Sequence, residues 1–465
     1  MNRNNLYCTI VVLLVALTNV KAQSTALETL REYIKIKSVT GNEKPAGEYM
    51  LQQCAKRGLY TQVFNNEDSS YNFSASLYPL SMGLPNIILL SHIDVVPVAN
   101  NSTWKHDAFA ATIDNDTLYG RGVIDTKGMA VMQLFALQRI KDSLTSIQPQ
   151  FNVTLLLLSG EETGGEQGGK KIIEPAVLAV LKPMVVIGEG GGGMQNVIPN
   201  KPNALCFFVS IAEKKSVWIK LESHVKSFGH GSVPSSKNAN RLLLKAIAKI
   251  ENERPNYEFD RTAKRTFHEI GTVLGGYQGF VLKHLNWWVL APLRGKVLND
   301  NEILKTLVTN SFQLTQIQNP PAKVNQVAQT ATAFYDCRLL PRKLQKPVFI
   351  KFLLRIIDPR IKLTIIDESP DALPTKLDNH YTNLSEAILT TFPTAHIIPV
   401  MLPATSDNSY FRSVGIPSYG LLPFLLSNDM AEGVHADNEK LPLHAIDDGI
   451  NIYYNFLLNY LQHVK

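Results

Sequence analysis

Residues 153–162 read VTLLLLSGEE: a run with four consecutive leucines, followed by a serine, a glycine and two adjacent acids, Glu161 and Glu162. A strand with one wet face alternates apolar and polar residues, whereas a run with no alternation marks a strand covered on both faces. The stretch NIILLSHID at 86–94 repeats the pattern and ends at His92 and Asp94, and Met184–Ile187 leads to Glu189. Between and around them lie helix-prone stretches, Ala26–Lys37 with helical spacing and the apolar Gly128–Ile140. Buried strands alternating with helices give an α/β fold with a mainly parallel sheet. In such sheets, functional sites form beyond the carboxyl ends of the strands, where these acids and this histidine fall.

Beyond about Cys206 the pattern changes. Val217–Glu222 and Thr330–Arg338 alternate as half-exposed strands do, and Asn240–Ile250 is an amphipathic helix. The stretch from Tyr277 to Gln318 is less regular and carries Trp287 and Trp288, whose alternatives are to take an apolar acyl group or to form core. A smaller α+β domain inserted into the first is expected over 206–340, closing at Pro341. The main domain would then be 23–205 plus 341–465. Its second part contains a buried strand at Ile397–Leu402, His435, and a closing helix near Ile446–Leu461.

The chain of 465 residues is 45% hydrophobic and 18% charged, an ordinary globular balance. Arg3, the apolar stretch Ile10–Leu17 and the small-residue site around Val20-Lys21-Ala22 read as a cleavable signal peptide over 1–22. A secreted or periplasmic location is therefore expected. Removing that segment takes away Arg3 and Lys21 and no acid, so the net charge falls from +6 to +4. There is no basic run to suggest nucleic acid, and no later segment reads as a stable membrane span. Of four cysteines, Cys8 lies in the signal. Cys54, Cys206 and Cys337 remain, an odd count without a CxxC pair, which speaks against a disulfide framework and a cysteine metal site. A Cys206–Cys337 bridge and buried free thiols are the two alternatives.

Taken together, His92, Asp125 (in YGRGVIDTKG), Glu161, Glu162, Glu189 and His435 (in EGVHADNEKLP) are two imidazoles and four carboxylates placed at strand ends or in glycine-rich turns. Such a set can hold two divalent ions with a carboxylate left over as a base. Oxygen and nitrogen ligands without thiolate suit zinc, with manganese or cobalt as alternatives. Asp94 is placed to anchor the second ring nitrogen of a metal-bound His92. Adjacent acids on extended backbone point to opposite sides, which would separate Glu161 from Glu162. The glycines after Glu189 do not fit a nucleotide loop and read as room for backbone to pass close by.

These motifs, with GHGSVPSSKNA, resemble the di-zinc amidohydrolase family that includes acetylornithine deacetylase, succinyl-diaminopimelate desuccinylase, aminoacylase, glutamate carboxypeptidase and carboxypeptidase S. The carboxypeptidase S-like branch looks nearest, and the likeness covers nearly the whole mature chain. The resemblance implies that His92 and Glu189 hold one metal, Glu162 and His435 the other, and Asp125 bridges them. It makes Glu161 the general base and Asp94 the residue that orients His92. It implies a cis peptide at Asp125–Thr126 and a lid that often serves as a dimer surface, hence a homodimer. By the same likeness His230 would stabilise the oxyanion, while Asn325 and Arg338 would bind substrate, Arg338 through its carboxylate. Asn325-Gln326-Val327-Ala328 departs from the family's usual Asn-Val-Ile-Pro, and Thr126 replaces an acid or Met. The implied activity is cleavage of an amide or peptide bond next to a free carboxylate, as in a carboxypeptidase or dipeptidase. The alternatives are an N-acyl-amino-acid amidohydrolase and a non-catalytic, metal-binding receptor-like domain.

Overall fold

The computed structural model describes residues 26–99, 103–144, 149–226, 229–232, 237–254, 256–320 and 323–462; the expected signal peptide lies outside them. Among the described residues, fifteen strands are formed: β1 Tyr60–Glu67, β2 Ser70–Ser76, β3 Asn86–His92, β4 Thr112–Asp114, β5 Thr117–Tyr119, β6 Asn152–Leu158, β7 Pro183–Met194, β8 Cys206–Glu213, β9 Lys215–His224, β10 Ser311–Gln318, β11 Thr330–Leu339, β12 Ile361–Glu368, β13 His396–Leu402, β14 Ser418–Leu426 and β15 Lys440–Pro442. They make three sheets, ordered β1-β2-β6-β3-β7-β14-β8-β13, β10-β11-β9-β12 and β15-β5-β4.

The chain divides into two compact units. The first runs to Ser210 and includes Thr375–Ile398 and Ser406 onward; the second is Ile211–Pro374 with Pro399–Thr405. The chain returns to the first unit after Pro374, later than the expected Pro341. The reason is β12, which pairs antiparallel with β9 and so belongs to the second unit's sheet.

At the centre of the first unit, β6, β3, β7 and β14 are parallel, flanked by antiparallel neighbours. Every residue of β3 and β6 is buried, as expected of strands covered on both faces. Ile88, Leu90, Leu156 and Leu158 pack on one side with Ile172, Leu181, Val186 and Phe411. The helix Lys127–Ser143 lies against β3 and β6, and the closing helix His444–Gln462 packs on it and on β14. Register pairs His92 with Leu158, so β3 and β6 end together and present His92 and the Glu161 turn at one edge. Strand β7 continues past Glu189 through its glycines. A Cβ on Gly190 or Gly420 would overlap the backbone of the other strand, so β7 and β14 approach closely only because both positions are glycine.

The second unit's four-stranded sheet is antiparallel throughout. Buried and half-exposed residues alternate along β11 without a break. The buried face, with Val217, Ile219, Leu221, Ala333 and Tyr335, packs against the helices Ala239–Glu251 and Gln345–Ile356. Cys54, Cys206 and Cys337 are all buried free thiols, so the bridge alternative falls. Among the described residues, no helix is long and apolar enough to cross a membrane.

Candidate metal centre

Two histidines share one carboxylate. His92 Nε2 lies 2.8 Å from Asp125 Oδ1, and His435 Nε2 lies 2.9 Å from Asp125 Oδ2. On the first side Glu189 Oε2 is 3.5 Å from His92 Nε2; on the second Glu162 Oε2 is 3.1 Å from His435 Nε2. His92, Asp125 and Glu189 therefore form one group, and Asp125, Glu162 and His435 another. Within each, the possible ligand atoms lie within 4.8 Å of one another.

Each side chain is held locally. His92 closes β3; its Nδ1 meets the backbone oxygen of Asp94 at 2.9 Å, with the Asp94 carboxylate farther off at 3.5 Å. The ring is thus anchored chiefly by the main chain of Asp94. The Asp94 carboxylate instead accepts from the amides of Glu161 (3.2 Å) and Glu162 (3.1 Å) and from Thr40 Oγ1 (2.9 Å). Glu161 and Glu162 lie in a 3-10 turn, Glu161–Thr163, rather than on the extended backbone expected from the sequence. The turn still separates them, because Glu162 joins the His435 group while Glu161 joins neither.

Asp125 sits on the loop before the helix Lys127–Ser143, and the Asp125–Thr126 peptide is cis. Thr126 Oγ1 accepts from the His92 amide and donates to the His92 carbonyl, both at 3.1 Å. The position that departs from the family pattern is therefore latched to a ligand candidate. His435 follows the helix Asn428–Gly433 and has a φ of 61°.

The electrostatics show what the centre demands. Burial pushes the Glu161 carboxyl well above its ordinary range, reinforced by Glu189 and opposed by His92. Burial and then Asp125 lift Glu189 to about 7. Burial alone would lower His92, but hydrogen bonds to Asp125, Asp94 and Glu189 carry it well above the usual imidazole value. Hydrogen bonds to Asp125 and Glu162 raise His435 to about 10. Burial disfavours the ionised Asp125, yet the two imidazoles hold its carboxyl below the ordinary range. Carboxylates at this density call for compensating positive charge, and they draw it from the two groups best able to ligate a metal. The nitrogen and oxygen donor set, with one shared carboxylate, fits a pair of divalent ions.

Sequence reasoning missed three features. Glu439, four residues beyond His435, is buried and ion-paired to Arg121, with Nη1 3.0 Å from Oε2. Asn408 Nδ2 donates to the Glu189 carbonyl at 2.8 Å. Ser406, Asp407 and Asn408 line a small cavity with His92, Glu161 and Glu189. That polar run follows the apolar strand β13, the same signal that singled out Glu161 and Glu162, so it was readable.

The remaining candidates lie in the second unit. His230 is exposed, its Nδ1 2.7 Å from Ser232 Oγ, and it forms an isolated bridge with Gln326. The Gly231 amide donates to the Asn325 carbonyl at 2.7 Å, so the His230 and Asn325 segments run side by side. On β11, Arg338 forks onto Asp336 through Nε (2.8 Å) and Nη2 (2.9 Å), while Nη1 donates to Thr405 Oγ1 at 3.1 Å.

Known proteins share this sequence pattern and fold. A mouse protein described as N-fatty-acyl-amino acid synthase/hydrolase PM20D1 is 26% identical over 448 residues, covering 93% of this chain and 87% of that one. A Dictyostelium discoideum protein described as "Probable carboxypeptidase S-like 2" is 27% identical over 409 residues, covering 86% and 76%. The fold matches an M20 family metallo-carboxypeptidase from Sulfolobus solfataricus, Sso-CP2, with a TM-score of 0.70 at 20% identity, covering 93% of this chain and 98% of that one. Residues 88–459 match the profile of peptidase family M20/M25/M40, a span that takes in every candidate residue from His92 to His435. By that match the chain belongs to peptidase family M20/M25/M40, the metallopeptidases and amidohydrolases of this fold.

Proposed function

We propose that this protein is a secreted hydrolase that uses two divalent ions, zinc by the donor set, to cleave an amide bond next to a free carboxylate. The observation that carries the reading is Asp125, shared between His92 and His435, with Glu161 beside the two groups but in neither. His92, Asp125 and Glu189 would hold one ion, and Asp125, Glu162 and His435 the other. When bound, the ions supply the positive charge that acidifies water and polarises a carbonyl.

The chain's own residues do the rest. Glu161 takes a proton from the attacking water and returns it to the leaving nitrogen, the double role open to one carboxyl group of raised pKa. Asp94 fixes the turn on which Glu161 rides, through two main-chain hydrogen bonds. To His230 we assign donation to the developing oxyanion. Arg338 selects for a substrate carboxylate, for which a guanidinium fork is well shaped. Asn325 is assigned to substrate binding alongside them. The expected homodimer through the second unit stays part of the proposal.

A second reading, an N-acyl-amino-acid amidohydrolase, is favoured by the PM20D1 likeness, which extends over 93% of the chain. Both readings cut an amide beside a carboxylate and differ in the group on the acyl side. Metal analysis of the purified protein before and after chelation, coupled to hydrolysis of a dipeptide panel and an N-acyl amino acid panel, tests them. We expect two ions per chain, activity lost with the ions and restored by zinc. Full hydrolysis in the chelated, metal-free protein would refute the proposal, and the preferred panel decides between peptidase and amidohydrolase.

A further inference from the structure

The second unit carries a surface that this chemistry does not use. In the helix Gly276–Lys283, Tyr277 and Phe280 stand three residues apart and so lie on one side. Tyr277 is 76% exposed and Phe280 half exposed. The Phe280 ring meets His284 at 4.6 Å between centroids, and His284 meets Trp287 at 4.0 Å. Trp288, at 84%, and Val289 continue the exposed surface. Val281, Leu282, Leu285 and Leu298 are buried and root the segment in the unit, so the rings are its outward side. The Trp pair is held in place: Arg294 donates to the carbonyls of Leu285 (2.9 Å), Asn286 (2.8 Å) and Trp287 (3.2 Å). Of the two alternatives for these tryptophans, burial in the core is excluded by their exposure. A contiguous exposed group of large apolar rings marks a surface that meets something.

Charge identifies what it meets. From Ile270 to Asn299 the sequence contains no Asp or Glu, while Lys283, Arg294 and Lys296 are positive. Among the described residues, no acid is ion-paired to Lys283 or Lys296. Tryptophan and tyrosine favour the boundary between headgroups and acyl chains, and neighbouring lysines gain from anionic headgroups. A second copy meeting this surface across a two-fold axis would oppose like charge to like. We propose that the surface formed by Tyr277, Phe280, Trp287, Trp288 and Val289, in a stretch whose charged side chains are all basic, docks the protein peripherally onto an anionic lipid bilayer.

The test is flotation of the full chain, loaded with zinc, with vesicles of phosphatidylcholine alone or with added phosphatidylserine. The wild type should float with the anionic vesicles, less so as salt rises, and its tryptophan emission should shift to the blue. Tyr277→Ser with Trp288→Ser, and separately Lys283→Glu with Lys296→Glu, should each lower partitioning by about tenfold or more. Tyr277, Trp288 and Lys296 are exposed and Lys283 is half-buried, so melting temperatures measured on both variants should hold, and this separates lost docking from lost folding. Wild-type protein that stays in the aqueous phase overturns the proposal, as do variants that float like the wild type. So does a wild-type dimer that fails to float and becomes monomeric in the Tyr277→Ser, Trp288→Ser variant, since the rings would then cover a second copy.

Discussion

Glu439 holds the loop that carries Asp125. Its Oε1 accepts from the amides of Ile124 (2.8 Å) and Asp125 (3.2 Å), and its Oε2 accepts from the Gly122 amide (2.8 Å) and Arg121 Nη1 (3.0 Å). Arg121 also donates to the Ala436 carbonyl at 2.9 Å, beside His435. One buried ion pair thus fixes the shared carboxylate and the segment of one imidazole relative to each other. Glu439 is 1% exposed and Arg121 3%, so neither charge has water to fall back on. Glu439→Ala leaves Arg121 buried and unpaired and should cost about 3–5 kcal/mol of stability. Glu439→Gln keeps the shape but halves the acceptors, and should weaken metal binding by roughly 10–100-fold. Denaturant unfolding and metal titration read the two effects, and a Glu439→Gln variant with wild-type metal affinity would remove the positioning role.

Glu161 stands next to a ligand candidate in sequence but outside both groups of ligand atoms. Glu161→Gln should therefore retain both ions while kcat falls by at least about 10²–10⁴, the contribution expected of a positioned acid-base group. Single-turnover rates and metal content on the same preparation check this. A variant that loses an ion along with its activity would make Glu161 a ligand instead of a base.

His435 completes only the second group, whereas Asp125 belongs to both. His435→Ala should bind one ion tightly and the other weakly, and Asp125→Asn should weaken both. Ions that bind only the folded chain add to its stability, so chelation should lower the melting temperature of the wild type more than that of His435→Ala. Equal stoichiometry in His435→Ala and wild type would count against the assignment.

How much of this was legible in the sequence depends on how local each cause is. The strands β3 and β6 announce themselves because both faces are covered, which leaves the continuous apolar runs Ile87–Leu90 and Leu155–Leu158. Glu161 and Glu162 stand out as acids where such a run ends. The passage of β7 through Gly190 was readable only in outline, because its cause is Gly420, far along the chain on β14. Glu439 was not legible: its partners are the amides of residues 122, 124 and 125, and no spacing reveals that pairing. Strand β12 was missed for a similar reason, since its pairing with β9 keeps residues 361–368 in the second unit beyond Pro341, where the unit was expected to close.

Lys214 offers a pH test in the second unit. Burial, and then the neighbouring positive charge of Arg338, lowers its ammonium to about 8. In the unfolded chain a lysine titrates near ~10.4. Between these values the unfolded chain holds a proton that the folded chain has released, so stability rises with pH across the window. Below about 8 the burial cost is felt in full. Lys214→Met should gain melting temperature relative to wild type at pH 7, and this advantage should shrink by pH 10. A constant difference across that range would show that Lys214 is not titrating there.

Arg338 is the most direct test of substrate class. Asp336 occupies Nε and Nη2, and Nη1 reaches Thr405, whose hydroxyl donates to the Lys214 carbonyl at 3.1 Å. The guanidinium is thereby fixed in one plane while remaining half exposed. A fork pre-set this way loses little freedom on meeting a carboxylate. Arg338→Ala should raise KM for substrates with a free carboxylate by roughly 10–100-fold, the equivalent of a charge-assisted hydrogen bond of about 1.5–3 kcal/mol. C-terminally amidated analogues lack the anion, so their kcat/KM should change little. Asp336→Ala supplies the control: it leaves the charge but frees the fork, and should raise KM for the carboxylate substrates by less than Arg338→Ala does. If both substrate classes suffer equally in Arg338→Ala, the Asp336–Arg338 pair is a strand salt bridge that shapes the second unit, and selection of the carboxylate must lie elsewhere.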